Sequence, residues 1–321
     1  MPNITVVTGF ILMGLSDIHE VQTLCGVFFL LIYAMILMSN FLIITLITLD
    51  QKLQSPMYFF LKNLSLLDVC LVSVPIPNFF VSSLTHNNSI SIVGCACQLF
   101  FMASFGAEEV FILTVMSYDR YVAVCHPLHY ETIMCNVTCV LMMGVSWIIA
   151  LLFAVSYTIV IFSMPFCGSN VIPEIFCDVP SLVRISCSDL FVAIYISLGI
   201  ALCLAIACIF CVVISYSYIF STVLKIPATQ GQSKVFSTCV PHLIVFTVFM
   251  AAACFVYLKP PSNTTSVTGR LFSVLYPVLS PAINPVIYTL RNTEVHSALK
   301  RLLQNFFSRD LLHLTCQVIR E

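Results

Sequence analysis

Long apolar stretches separated by short polar breaks dominate the pattern of this chain. Seven of them reach the roughly 20 apolar residues needed to cross a bilayer core: Leu24 to Leu49, Met57 to Leu84, Cys95 to Val124, Val140 to Ile161, Leu190 to Leu224, Val235 to Leu258 and Leu271 to Leu290. The pattern then changes. Between Thr293 and Phe307, Val295, Leu299, Leu302, Leu303 and Phe306 recur at helical spacing against Lys300 and Arg301, as in a helix lying in a membrane interface. An all-α membrane protein is predicted: a seven-transmembrane helix bundle over residues 24–290, preceded by a tail (1–23). A short amphipathic helix on the inner leaflet and a terminal tail (291–321) follow it.

Composition supports lipid as the solvent, because 60% of residues are hydrophobic and 8% charged, against roughly a quarter charged in soluble domains. A net charge of -1 offers no basic surface for nucleic acid. Met1 to Glu20 has no basic segment of the kind that opens a cleavable signal peptide, so the first span is expected to act as its own anchor.

Seven spans put the termini on opposite sides, and the flanking cations choose which. With the N-terminus outside, Lys52, Lys62, Arg120, Lys225, Lys234, Arg291, Lys300, Arg301, Arg309 and Arg320 are cytoplasmic and only Arg184, Lys259 and Arg270 are external. Ten against three favours that orientation, in a multi-pass protein of the plasma membrane. Asn3-Ile4-Thr5 is then an external glycosylation sequon.

Cys95, Cys167, Cys177 and Cys187 lie at or beyond the outer ends of the spans, where two disulfides can form in three pairings. The other twelve cysteines read as small apolar filler. No His-Glu-x-x-His or Gly-x-Ser-x-Gly pattern is present, which argues against an enzyme. Nor does an inverted pair of broken spans suggest a transporter.

Several ordered motifs identify a family. They are Pro56-Met57-Tyr58-Phe59-Phe60-Leu61, Leu64-Ser65-Leu66-Leu67-Asp68, Met116-Ser117-Tyr118-Asp119-Arg120-Tyr121-Val122-Ala123-Val124-Cys125, Ser215-Tyr216, Lys234-Val235-Phe236-Ser237-Thr238-Cys239 and Asn284-Pro285-Val286-Ile287-Tyr288. From Phe10 to about Leu303 the chain resembles the odorant receptors, a branch of the rhodopsin-like G-protein-coupled receptors.

The resemblance implies a mechanism. Asp119 and Arg120 would form an ion pair that holds the resting state, and its release would expose Arg120 to a G protein. Tyr121, Tyr216 and Tyr288 match positions that act in activation and coupling. Pro285 removes a backbone donor, Asn284 can satisfy the freed groups, and together they make a hinge. Asn40 matches another family position, with Ser39 where glycine usually precedes it.

Asp68, Glu109 and Asn284 match a polar centre that resembles a sodium site. The other arrangement there is a protonated carboxyl pair bridging the helices. No other cofactor is implied. Glu108 departs from the family, and at about 100° from its neighbour it cannot share the face of Glu109. Cys95 with Cys177, and Cys167 with Cys187, match family disulfides that pin the long loop over the pocket. Glu174 stands where histidine is usual.

The pocket that the resemblance implies is lined by Met102, Ala103, Gly106, Ala107, Ser197, Ile200, Leu204, Met250, Ala253 and Tyr257. It is apolar with few polar handles, suiting small neutral ligands. Met102 replaces the aspartate of amine receptors, and Leu271 to Leu290 lacks the retinal lysine of opsins. Phe249-Met250-Ala251-Ala252 stands where Phe-Tyr-Gly-Thr is usual, which makes the pocket floor more apolar, and Pro241 replaces a commoner serine. The expected partners are a small apolar odorant, membrane lipid and a heterotrimeric stimulatory G protein of the olfactory type that raises cyclic AMP.

Overall fold

In a computed structural model, residues 9–16, 18–166, 169–187, 191–225, 230–258, 267–292, 294–302 and 304 are described, apart from some helical side chains, Tyr257 among them. The elements run β1 (Gly9–Leu12), α1 (His19–Leu49), α2 (Pro56–Ser73), α3 (Ile76–Thr85), β2 (Ser89–Ser91), α4 (Ile92–Cys125), α5 (Tyr130–Ile133), α6 (Asn136–Phe162), β3 (Val171–Ile172), α7 (Val179–Ile185), α8 (Phe191–Val223), α9 (Gln230–Leu258) and α10 (Val267–Arg291).

Six spans are long and apolar enough to cross a membrane by length and composition: α1, α2 taken with α3, α4, α6, residues 195–223 of α8 and residues 235–254 of α9. The seventh, α10, contains Pro277, Pro281 and Pro285 and at 25 residues is about 37 Å long, enough to span. α4 is the central helix, packed against α2, α6, α8 and α9. Leu24, Leu31, Met38, Leu141, Leu152, Leu202 and Phe210 point outward, the arrangement lipid demands of a bundle surface.

Two features depart from the predicted pattern. The second span is not one helix: Pro75 lacks the N–H that would continue the ladder, α2 closes with Val74 N–H donating to the Leu71 carbonyl at 3.4 Å, and α3 restarts at Ile76. The tail also contributes a strand to an otherwise helical fold. β1 pairs antiparallel with β2, Phe10 opposite Ile90, and parallel with β3, Ile11 opposite Val171. Along β1, Phe10 and Leu12 are buried while Ile11 is exposed, the alternation expected of a strand with one covered face.

The opposite end of the bundle, where Arg120 lies, carries the helical stretch after α10. Asn292 Oδ1 accepts the backbone N–H groups of Glu294 and Val295 at 3.0 and 3.2 Å and so starts a helix over residues 294–302. Val295 and Ala298 are buried, and Leu299 and Leu302 pack on the main core. The predicted apolar face thus rests largely on the bundle itself; Leu303 and Phe306 lie outside the described residues. Arg301 bonds Asp50 beyond the end of α1, which lowers the Asp50 pKa below its ordinary value.

Candidate functional site

Three polar clusters run through the bundle. At the Arg120 end, Asp119 is fully buried and both its oxygens are used: Oδ2 accepts from Arg120 and Oδ1 from the Tyr130 hydroxyl at 2.7 Å. The predicted ion pair is therefore formed, and α5 holds it from below through Tyr130, a residue the motif reading had not singled out. Tyr121 takes no part in this pair, since its hydroxyl meets His126 Nε2 at 3.0 Å.

Just above lies His242, which sequence reasoning missed. Its Nε2 is 2.8 Å from the Leu113 carbonyl on α4 and its Nδ1 2.8 Å from the Tyr216 hydroxyl on α8. A carbonyl can only accept, so Nε2 carries the proton and Nδ1 accepts from Tyr216. This buried ring joins α9 to both neighbours. The signal that could have found it was a histidine inside an apolar span, next to Pro241. Tyr288 is buried on α10, its hydroxyl without a hydrogen-bond partner among the described residues.

The middle cluster brings Asp68, Glu109 and Asn284 together as expected. Asn284 Nδ2 is 3.0 Å from each Asp68 oxygen, and the Ser280 hydroxyl donates to Glu109 Oε1. Glu109 Oε2 and Asn284 Oδ1 are buried with no hydrogen-bond partner among the described residues, so two oxygens remain for a hard cation or a shared proton.

The expectation that Asn284 repairs the backbone at Pro285 is corrected. Pro285 has no N–H for the Pro281 carbonyl four residues earlier, and it is Asn40 of α1 that donates to that carbonyl at 3.1 Å. Asn284 instead reaches across to α2. Glu108 turns to the other side of α4, as its helical phase required, where Oε1 accepts from the Ser146 hydroxyl of α6 at 2.7 Å.

At the sheet end the long loop is tied down. Cys95 and Cys177 form a disulfide with Cα atoms 5.5 Å apart. Cys167 lies outside the described residues, and with it the second predicted bridge. Gln98, also missed, lies three residues past Cys95 on the same helical face; its Oε1 accepts the Cys177 N–H at 2.8 Å, and its Nε2 donates to the Val74 carbonyl at the break in span two at 3.5 Å. Ile175 and Phe176 enter a buried cluster with Phe29, Ile76, Phe79 and Val274, and Met102 packs against it.

Of the predicted pocket residues, Gly106 and Ser197 are buried, Met102, Ala103, Ala107, Leu204, Met250 and Ala253 are partly buried, and Ile200 is half exposed. The Tyr257 side chain lies outside the described residues. A cavity of about 680 Å³ opens elsewhere, between α4, α6 and α8 in the Arg120 half, lined by Phe111, Tyr118, Val145, Phe210 and Tyr218 among others, and it contains none of the ten.

Such a bundle, with its paired Asp119 and Arg120 at one end and a disulfide-tied loop at the other, has the architecture of a seven-helix membrane protein. Squid rhodopsin shares the fold with a TM-score of 0.67 at 16% identity, over 90% of this chain and 87% of that one. The chain belongs to the olfactory receptor family, whose model matches residues 29–305. It is 65% identical to human olfactory receptor 14A2 over 97% of this chain and 99% of that one. Identity to human olfactory receptor 14A16 is 47%, over 95% and 98%. It is accordingly a multi-pass membrane receptor for odorants that acts with a G protein, and not an enzyme.

Proposed function

We propose that this receptor binds small, neutral, mostly apolar odorants between α4, α8, α9 and α10, beneath the loop that carries Cys177, and activates a stimulatory G protein of the olfactory type to raise cyclic AMP. The observation that carries this reading is the pairing at the Arg120 end, where Asp119 bonds Arg120 and His242 bonds Tyr216; in this reading the two contacts hold the resting state. Movement of α9 would separate His242 from Leu113 and Tyr216, and parting of Arg120 from Asp119 would present its guanidinium to a G protein.

In this reading the sheet end and residues 1–23 are extracellular, Asn3 is glycosylated, residues 24–290 form the transmembrane domain, and residues 291–321 face the cytoplasm at the plasma membrane. Neutral ligands are supported by the apolar set of Met102, Ala103, Ala107, Leu204, Met250 and Ala253, which offers no counter-ion. A sodium ion would be held by Asp68, Glu109 and Asn284, supported by the two free oxygens of that cluster.

The test is cyclic AMP in cells displaying the receptor, across neutral volatile esters, ketones, alcohols and terpenes matched with amine and carboxylate analogues of the same skeletons. Responses confined to neutral members are expected. Preference for the amines or carboxylates would overturn the ligand class.

A further inference from the structure

At the sheet end, the first residue of α1 and the residue that ends α3 bring two imidazoles together. His19 Nδ1 and His86 Nδ1 are 3.1 Å apart, and the rings meet edge-on with centroids 4.4 Å apart. Both residues are exposed. His86 has φ 54°, the only positive φ of a non-glycine residue among those described. This left-handed turn stops α3 and directs the chain back toward α1, and an ordinary side chain adopts it only where the surroundings impose it.

Gln22 Nε2 donates to Asn88 Oδ1 at 3.3 Å, Thr23 Oγ1 to the Ser83 carbonyl at 3.3 Å, and Leu12 N–H to the Asn88 carbonyl at 2.9 Å. The same two segments that carry the histidines are therefore fastened on either side of them, which keeps the two rings within reach of each other.

Two ring nitrogens at this separation fit a shared proton, and they also fit a metal. Zinc–nitrogen bonds of about 2.0–2.1 Å at a tetrahedral angle place two ligand nitrogens about 3.3 Å apart, and a right angle, as at square-planar copper, about 2.9 Å. The observed 3.1 Å lies between these, and the rings, being exposed, can turn so that both nitrogens face one ion. We propose that His19 and His86 form a two-imidazole site for a divalent transition metal ion of the zinc and copper class.

No group of three or more His, Cys, Asp or Glu residues converges among the described residues. The ion would therefore keep positions open to water or another donor, and affinity would be modest. Binding would cross-link the start of α1 to the loop after α3, and because it requires the folded pairing it would stabilise the folded bundle.

The probe is Zn²⁺ alone, titrated calorimetrically into nanodisc-embedded receptor at pH 7.5 after alkylation of free thiols, eleven of which occur among the described residues. The variants are His19→Gln and His86→Asn; the second keeps a residue that tolerates the left-handed turn. One equivalent of Zn²⁺ should bind the unsubstituted chain and weaken at least 10-fold in either variant. Zinc should raise the thermal midpoint of the unsubstituted chain alone. Zinc isotherms and midpoint shifts that are the same in all three proteins, or no binding to the unsubstituted chain, would overturn the proposal.

Discussion

Removing the Asn40 amide should expose how the bundle tolerates Pro285. Asn40 Nδ2 donates to the Pro281 carbonyl and to the Ile36 carbonyl, each at 3.1 Å. The second of these already sits in the ladder of α1, but Pro281 O has lost its own helical donor to Pro285. Hydrogen bonds between membrane helices average about 0.6 kcal/mol, because the unpaired groups find other partners. Asn40→Ala leaves a buried carbonyl without such a choice, so the fuller penalty of about 1–3 kcal/mol applies, a fall of about 2–6 °C in thermal midpoint. Pro285→Ala returns an N–H to that carbonyl. In a double-mutant cycle measured by thermal unfolding in nanodiscs, Asn40→Ala should therefore cost much less in the Pro285→Ala background, with coupling above the ~0.5 kcal/mol that separates independent sites. Additive losses would refute the assignment of Asn40 as the replacement donor.

Three further outcomes follow from the geometry. A Cβ on Gly26 would lie 2.7 Å from Ser83 Cβ, so Gly26→Val should separate α1 from α3, cost about 1–3 kcal/mol of overpacking and lower the midpoint, with partial rescue by Ser83→Gly; an unchanged midpoint counts against that close approach. Asp50 has its pKa lowered by Arg301, so its stabilisation is present above the ordinary aspartate range and is lost as pH falls through the lowered value. The midpoint gap between the unsubstituted chain and Asp50→Asn, small for a partly exposed pair, should thus close on acidification, and a gap that widens would contradict the pairing. His242→Leu removes the partner of Tyr216 and the link to α4, so basal cyclic AMP should rise at matched surface level, whereas unaltered basal signal would place His242 outside the lock.

The spans were legible because lipid imposes one rule, continuous apolar length, and the helices follow it to within a few residues at most ends. Glu108 and Glu109 were legible by phase, since adjacent helical positions cannot share a face, and they do engage α6 and α10 respectively. Less local features were hidden. β1 covers four residues, and its partners lie about 80 and 160 residues away, beyond any periodicity. Proline signalled a weakness at Pro285, but which amide fills it depends on where α1 crosses α10, and so Asn40 rather than the neighbouring Asn284 proved to be the donor. His242 and Gln98 act through contacts with distant backbone, which no pattern around them encodes.

If ligand binding releases Arg120 to a G protein, nucleotide exchange on that G protein reads the step itself. Purified receptor in nanodiscs would be mixed with a stimulatory heterotrimer and a neutral volatile ligand found in the cell assay, beside Arg120→Ala at equal ligand occupancy. Ligand-dependent exchange by the unsubstituted chain, lost in the variant, is the predicted result. Equal exchange by both would contradict the account.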